Sequence, residues 1–470
     1  MFMSNPINIG LMGLGTVGSG VWELLEGNNS EVGAAKFLQI KKVLIQDITK
    51  NREVDVGREV LTTDPRELIE DRELDIIVEL IGGITPARDY IMQAFQENKD
   101  VVTANKNLIA RCGDKLLQKA DEHNVNLLFT ASAGGGIPVI SALEDKLAGD
   151  NITQISGILN GTTNYILTRM KEGLEFTQAL EQAQELGYAE SDPNGDISGQ
   201  DSAYKLAILS SLAFGLWIDW QKIQVQGITD ISSLDIKVAD KLGYNCKLLC
   251  QADKTGGNLS LSVQPAMIPK NQALAGIENE ENAIQIKGEY TGDVFLAGPG
   301  AGSLPTAGSV ISDIIKIVEC AGDRYKSVNS FAGGGQKFVD PFAGGRQKPV
   351  NSLQQQEIYK NAAGKNLLVE DDDLDGSSCF SSSAYYFRLS AEGREFSRQN
   401  LKEFIRQQQL EIKLLKDNFV KDDFGQKDFF VLIARAVGRR KVKKFCEKIR
   451  QNENLTLESV YPVREEIKED

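Results

Sequence analysis

Apolar positions in the first 130 or so residues fall into short runs separated by stretches of helical periodicity, the alternation that builds a parallel sheet flanked by helices. The runs are Ile7–Met12, Lys42–Ile45, Asp75–Ile81, Asp100–Thr103 and Asn126–Phe129. The first leads directly into Gly13-Leu14-Gly15-Thr16-Val17-Gly18, a G-x-G-x-x-G turn, and then into an amphipathic segment ending at Glu26. A strand before and a helix after are the context in which such a turn binds a dinucleotide. The glycines permit a tight bend and close approach of backbone N–H groups to a pyrophosphate, and the helix adds its positive end. Gly13, Gly15, Thr16, Val17 and Gly18 are the expected cofactor contacts; the bland alternative is a glycine-rich turn with no ligand. The acid that meets the ribose belongs about twenty residues past the turn. Asp47 arrives later, because Gly27 to Lys36 reads as an inserted loop or a longer helix end.

Further along, the run from Asp201 to Phe214 carries apolar residues at helical spacing, which sets Asp201 and Lys205 one turn apart on one face. Just upstream, Glu190, Asp192 and Asp196 lie on a stretch broken by Pro193, Gly195 and Gly199, where side chains can converge on a small ligand. An Asp–Lys pair at this spacing is either a surface ion pair or a proton-transfer unit. Spacing alone favours the ion pair, since exposed pairs are common and weak.

Residues 331–383 shift to GGGQ, PFAGG, QQQ, an acidic run and SSCFSSS, the composition of a linker. Beyond them, Tyr385–Leu389, a helical run to Gln409, strands at Ile412–Leu415 and Phe429–Ile433, a basic helix Arg439–Gln451 and a last strand Thr456–Tyr461 give βαββαβ, a ferredoxin-like order. The basic cluster Arg439, Arg440, Lys441, Lys443 and Lys444 reads as a solvated helix face, because the domain supplies no base-stacking platform.

At 470 residues the chain has room for two or three domains. A net charge of −14 argues against a nucleic-acid partner. No apolar run reaches the roughly eighteen residues of a membrane span, and Met1 to Ile9 is no signal peptide. The six cysteines show no C-x-x-C or zinc spacing, so reduced thiols in a cytoplasm are expected, with Cys246 and Cys250 as packing residues. The single histidine, His123, leaves Ser–His, Cys–His and histidine-ligated metal chemistries little material. Acid–base work must then fall to lysine or carboxylate, and a lysine beside an acid in a dry cleft can serve. A thioester-forming semialdehyde dehydrogenase needs a cysteine nucleophile with a base, and Cys112 and Cys320 both lie outside glycine-rich turns. A nonenzymatic nucleotide sensor of the same fold stays open as a rival.

Seven motifs in order carry a resemblance: GLGTVG (Gly13–Gly18), VELIGG (Val78–Gly83), VVTANK (Val101–Lys106), GGGIPVI (Gly134–Ile140), GILNGTTNYILT (Gly157–Thr168), LGYAESDPNGDISGQDSAYKLAIL (Leu186–Leu209) and GPGAGSLPTA (Gly298–Ala307). From the fingerprint to about Cys320 the chain resembles homoserine dehydrogenases. The resemblance implies NAD- or NADP-dependent interconversion of L-homoserine and L-aspartate 4-semialdehyde. By motif, Lys205 is the catalytic acid/base, Asp201 holds the substrate hydroxyl and that lysine, and Lys106 lies where nicotinamide and substrate meet. Glu190, Gly187 and Asp196 would bind substrate; Thr103, Lys106, Asp47 and Gly302 join the fingerprint at the cofactor. The odds on Asp201 and Lys205 reverse accordingly.

The implied architecture is α/β: a Rossmann-type dinucleotide-binding domain (1–136, with a returning helix at 303–322), an α+β substrate and dimerisation domain (137–302), the linker, and a C-terminal ferredoxin-like, ACT-like domain (384–470). Runs Ile155–Leu159, Leu259–Val263 and Ala283–Lys287 are the expected strands of an open sheet whose far face pairs subunits, giving a homodimer or higher homo-oligomer. The family's monovalent cation, sodium or potassium, would sit on the carbonyls of Ala133, Gly135 and Ile137, but Thr130 stands where the family has glutamate. Gln46 replaces a basic residue, leaving Lys50 and Arg52 to meet a 2′-phosphate, and Gln226 and Gln272 replace a more typical acid and histidine. In the tail, Glu392-Gly393-Arg394-Glu395-Phe396 stands in place of an acid and proline–glycine turn, so the tail is expected to serve assembly more than threonine sensing. Truncation after Ala384 is then expected to leave turnover largely intact.

Overall fold

A computed structural model of the chain describes residues 6–27, 37–50, 52, 54–320, 384–391, 398–408, 411–417, 428–435, 439–452 and 455–464. The linker reading, most of the reading of Gly27 to Lys36 and the turn at 392–396 lie outside these residues. The chain divides into two compact units, one drawn from Met1–Gly149, Ala207–Trp220 and Gly298–Lys365, the other from Asp150–Leu206, Gln221–Ala297 and Asn366–Asp470.

The first unit holds a six-stranded parallel sheet of β1 (Ile7–Met12), β2 (Leu38–Leu44), β3 (Leu61–Thr62), β4 (Ile76–Glu79), β5 (Asp100–Thr103) and β6 (Leu127–Leu128). Their order is β3-β2-β1-β4-β5-β6, and each neighbouring pair is parallel, as the alternation of strand and helix predicts. The order reverses direction at β1, and the crevice at such a switch point is where open α/β sheets bind ligands. Ile9, Leu11, Ile76, Val78 and Val102 present one apolar face. Val21 and Leu25 of α1 (Thr16–Glu26) and Val310, Ile314 and Ile317 of a helix that returns at Ser303–Cys320 join the same core. The return is pinned tightly: a Cβ added to Gly20 would fall 2.7 Å from the Ser303 carbonyl oxygen.

The second unit is built on a mixed sheet. Its strands are β7 (Ile152–Ile158), β8 (Gln224–Val225), β9 (Tyr244–Thr255), β10 (Asn258–Pro269), β11 (Glu281–Gly288), β12 (Gly292–Pro299), β13 (Ala384–Ala391), β14 (Glu411–Asp417), β15 (Asp428–Arg435) and β16 (Leu455–Val463). They run β12-β11-β7-β9-β10-β16-β13-β15-β14, with β8 beside β10. The last four, read in tail order, are 4-1-3-2, every pair antiparallel, with helices Arg398–Gln407 and Arg439–Arg450 supplying Leu401, Ile405, Phe445 and Ile449 to a core with Phe387, Leu389 and Leu432. This βαββαβ tail is not a separate bead. Its β16 continues the sheet of the second unit through Met267↔Val463, and the Arg464 N–H donates to the Met267 carbonyl at 2.9 Å.

Candidate active site

At the fingerprint, each glycine answers a different local demand. Gly13 has φ of 101°, and a Cβ there would fall 2.6 Å from the Leu80 carbonyl oxygen; at Gly18 it would fall 2.2 Å from that of Gly13. At Gly15 it would meet nothing within 4 Å, so this side of the turn is open to a ligand. Gly15 is the N-cap of α1 and gives no side-chain cap, so the first-turn N–H groups of Thr16 and Val17 face outward in the manner of a pyrophosphate cradle. The residues present fit a dinucleotide. Ser303 Oγ holds the Thr16 carbonyl at 2.7 Å, which brings Gly302, with φ of 121°, alongside the turn. Asp47 lies exposed past β2, its pKa below the ordinary value because Thr49 donates side-chain and backbone hydrogen bonds to it.

At the ends of β4 and β5 a buried network positions Lys106. Glu79 accepts from the N–H groups of Ile81 and Gly82 at 2.8 and 3.3 Å and from Thr103 Oγ at 2.7 Å. Burial pushes the Glu79 pKa up despite these donors. Thr103 Oγ in turn accepts from the Asn105 N–H at 3.0 Å, and Asn105 ties back to the Gly83 carbonyl at 2.7 Å while capping the helix that begins at Lys106. Thr103 is wholly buried, so its hydroxyl serves this network. Glu79 and Asn105 hold the backbone that leads into Lys106, a part that motif matching passed over though both lie inside quoted motifs.

In the second unit the acid and base stand together. Asp201 and Lys205 are each only 7 % exposed, on the helix Gln200–Phe214, with Lys205 Nζ 2.7 Å from Asp201 Oδ2. Lys205 Nζ also donates to the Leu159 carbonyl at 2.8 Å. The next residue, Asn160, donates from Nδ2 to Asp201 Oδ2 at 3.0 Å and to Asp196 Oδ1 at 2.7 Å. Asn160 Oδ1 accepts from the Thr163 N–H at 2.8 Å and so caps the helix Gly161–Lys171. The end of β7 therefore grips both members of the pair. Glu190 and Gly187 are exposed on the turn after the helix Phe176–Glu185, where Gln184 Nε2 donates to the Glu190 carbonyl at 3.0 Å. Asp196 is half-buried and joined to the pair through Asn160. Asn160 was invisible as a site residue in the sequence; the Asn-Gly-Thr-Thr run signals only a helix cap.

Around Ala133, Gly135 and Ile137 two of the carbonyls accept hydrogen bonds. Gly135 O accepts from Ser309 Oγ at 2.6 Å and Ile137 O from the Val139 N–H at 2.8 Å. Thr130 donates from its N–H and its hydroxyl to Asp313, each at 2.8 Å. Burial pushes the Asp313 carboxyl up to about 7. Position 130 thus supplies no acidic side chain, while Gly135 O and Ile137 O each keep a second lone pair beside the hydrogen bond they accept.

A doubly wound parallel sheet opening on a glycine turn in the first unit, with a buried lysine–aspartate pair in the second, has the features of a nicotinamide-dependent oxidoreductase. Family models described as the NAD-binding domain of homoserine dehydrogenase and as homoserine dehydrogenase match residues 13–130 and 138–315. The homoserine dehydrogenase of Bacillus subtilis is 43 % identical over 318 residues, 67 % of this chain and 73 % of that one. The crystal structure of a homoserine dehydrogenase from Thiobacillus denitrificans covers 98 % of this chain and 100 % of its own, with a TM-score of 0.81 and 29 % identity. A hyperthermophilic archaeal homoserine dehydrogenase in complex with NADPH covers 66 % of this chain and 97 % of its own, at a TM-score of 0.57 and 30 % identity. The chain belongs to the homoserine dehydrogenase family.

Proposed function

We propose that the chain interconverts L-homoserine and L-aspartate 4-semialdehyde with NAD or NADP, the branch-point step toward threonine, methionine and isoleucine. The observation that carries this is the buried Lys205–Asp201 pair held by Leu159 and Asn160. Two of the three donors of Lys205 are engaged by protein, so the third is available to a substrate oxygen. In the oxidation direction Lys205 acts as the neutral amine, its lone pair turned to the substrate oxygen to take the hydroxyl proton; in reverse it acts as the ammonium, and its third N–H returns the proton to the carbonyl oxygen. A nicotinamide, when bound, would accept or supply the hydride. Asp201 keeps the ammonium oriented and Lys106 sets positive charge toward the developing alkoxide. Glu190, Asp196 and the Gly187 backbone bind the amino group of the substrate.

Gly13, Gly15, Thr16, Val17 and Gly18 would hold the dinucleotide's pyrophosphate, with Asp47 as the residue for the ribose and Gly302 beside the turn. The catalytic scheme requires no monovalent cation. The chain acts in the cytoplasm as a homodimer or higher homo-oligomer, supported by exposed Tyr290 and Phe295 at β11 and β12; no helix among the described residues is long and apolar enough to cross a membrane. The tail is an ACT-like module, supported by its strand order, that serves assembly more than effector binding.

Reduction of NAD or NADP by the purified chain, dependent on homoserine and lost in Lys205→Met, tests the reading. Dinucleotide binding without homoserine-dependent reduction would instead favour a nucleotide-binding regulator.

A further inference from the structure

We infer that Asn160 is a positioning residue of the reaction: its amide bridges Asp201 and Asp196 and thereby sets the carboxylate that aims Lys205. The inference rests on the proposed dehydrogenase activity. The geometry joins four groups at one peptide. The Leu159 carbonyl takes one proton of Lys205, and the neighbouring Asn160 side chain takes hold of the same Asp201 oxygen that Lys205 contacts. One amide nitrogen, with two hydrogens, meets one oxygen of each carboxylate, at 2.7 and 3.0 Å.

Two carboxylates brought to a single small group repel one another, and the ordinary relief is for one to take up a proton. An amide N–H₂ between them relieves the repulsion without supplying a titratable proton. The bridge thus leaves Asp201 Oδ2 placed to accept from Lys205 at 2.7 Å. Asn160 is 4 % exposed, and its other atom, Oδ1, is committed to the helix cap. The residue therefore separates into a structural half and a positioning half, and substitutions can address each.

Asn160→Asp preserves the capping oxygen but puts a third carboxylate where the bridging donor stood. Asn160→Ser preserves a good cap and removes the bridge without adding charge. In a chain that reduces NAD or NADP with homoserine, we expect kcat to fall about 10-fold in Asn160→Ser and about 100-fold in Asn160→Asp, the usual range for misplacing an acid–base group. The KM for dinucleotide should change less than about 2-fold in both, because the bridge does not belong to the fingerprint. The loss in Asn160→Asp should shrink as pH falls, because protonating one carboxyl of the three restores a donor. Adding Asn160→Ser to Asp201→Asn should cost little beyond Asp201→Asn alone, since the first acts through the second.

Rates are referred to the folded fraction at the assay temperature, so a loosened cap does not count as lost positioning. Wild-type kcat and an unchanged pH profile in both variants, or full additivity with Asp201→Asn, would overturn the inference and leave Asn160 a cap. A wild-type chain with no homoserine-dependent reduction would overturn the dehydrogenase reading instead.

Discussion

The second unit contains two buried acid–cation pairs with nearly the same exposure and opposite uses. Asp201–Lys205 has side chains 8 % exposed on each partner, and Asp235–Arg388 has 0 % and 9 %. Asp235, on the helix Ser233–Lys241, is saturated. It accepts from Ser232 Oγ at 2.7 Å, Tyr386 OH at 3.1 Å, Arg388 Nε at 2.9 Å and Ser459 Oγ at 2.6 Å. Three of those donors come from the tail, so this carboxylate fastens β13 and β16 to the helix Ser233–Lys241. Its cation is an arginine, which keeps its charge and offers a planar fork for fixed geometry. At the other pair the cation is a lysine, which can release and regain a proton, and in the proposed reaction its third position faces the substrate. Burial is common to both pairs. Residue type and the count of satisfied atoms separate chemistry from structure.

Replacing the cation of the first pair should have the largest effect. Lys205→Met is expected to lower kcat by about two to four orders of magnitude, the usual worth of general acid–base catalysis, with little change in dinucleotide affinity. Asp201→Asn should fall similarly. Glu190→Gln should act mainly through the homoserine KM, because an amino group keeps its charge from ground to transition state. Near-normal turnover in Lys205→Met would transfer the role to Lys106 and erase the contrast with Arg388.

The second pair is tested by stability. Asp235→Ala strands Arg388 in a dry site and should cost roughly 3–5 kcal/mol, read as a lowered thermal midpoint with kcat per folded molecule nearly unchanged. The shared sheet also revises the expectation that truncation after Ala384 is harmless. Removing the tail uncovers Asp235 and the β10 edge at Met267, so the shortened chain should aggregate, as measured by light scattering. A monodisperse, active truncated chain would show that the tail is dispensable after all.

A third buried acid has no ion pair among the described residues. Asp313 is held by Thr130 and its carboxyl is pushed up to about 7 from an ordinary 3.8 by burial. The folded chain then keeps a proton that the unfolded chain releases above pH 3.8. This stabilising contribution is complete below that value, is lost as pH rises to about 7, and is level beyond. Asp313→Asn can still accept the Thr130 N–H and exchange a hydrogen bond with its hydroxyl. It should gain on the order of 2 kcal/mol relative to wild type between pH 5 and 8. Parallel melting curves for the two proteins across that range would show that Asp313 is not protonated on folding.

The nucleotide fold was legible because its signals are local: a strand, three glycines and a helix within twenty or so residues, with the central strands β4 and β5 buried on both sides. The Asp201–Lys205 spacing was legible too, but its meaning was not, since a surface pair and a buried one share the same i,i+4 pattern. Asn160 and Asp235 were out of reach for a different reason. Each acts across long sequence separations, Asn160 to Asp201 and Asp235 to Ser459, and no periodicity encodes such a contact. The tail strands were foreseen one by one, whereas their junction to β10 depends on a single residue pair at the end of β16.

The smallest effect is expected where an acid and a cation meet in water. Arg52 donates from Nη2 to the Asp47 carbonyl at 2.6 Å and from Nη1 to the Lys50 carbonyl at 2.8 Å, which places a positive charge beside the acid that should meet the ribose. Asp47 favours the 2′-hydroxyl of NAD and repels the 2′-phosphate of NADP; Arg52 does the reverse. Asp47 is exposed and Arg52 only half-buried, so solvent and salt screen each influence, unlike those at the two buried pairs. The ratio of kcat/KM for NADP and NAD should therefore lie within about tenfold of unity, with Arg52→Ala moving it toward NAD by less than about tenfold. High salt should shrink that shift. A strong NADP preference that survives both Arg52→Ala and high salt would place the phosphate on a buried cation, and exposed pairs would then no longer be the weak end of the comparison.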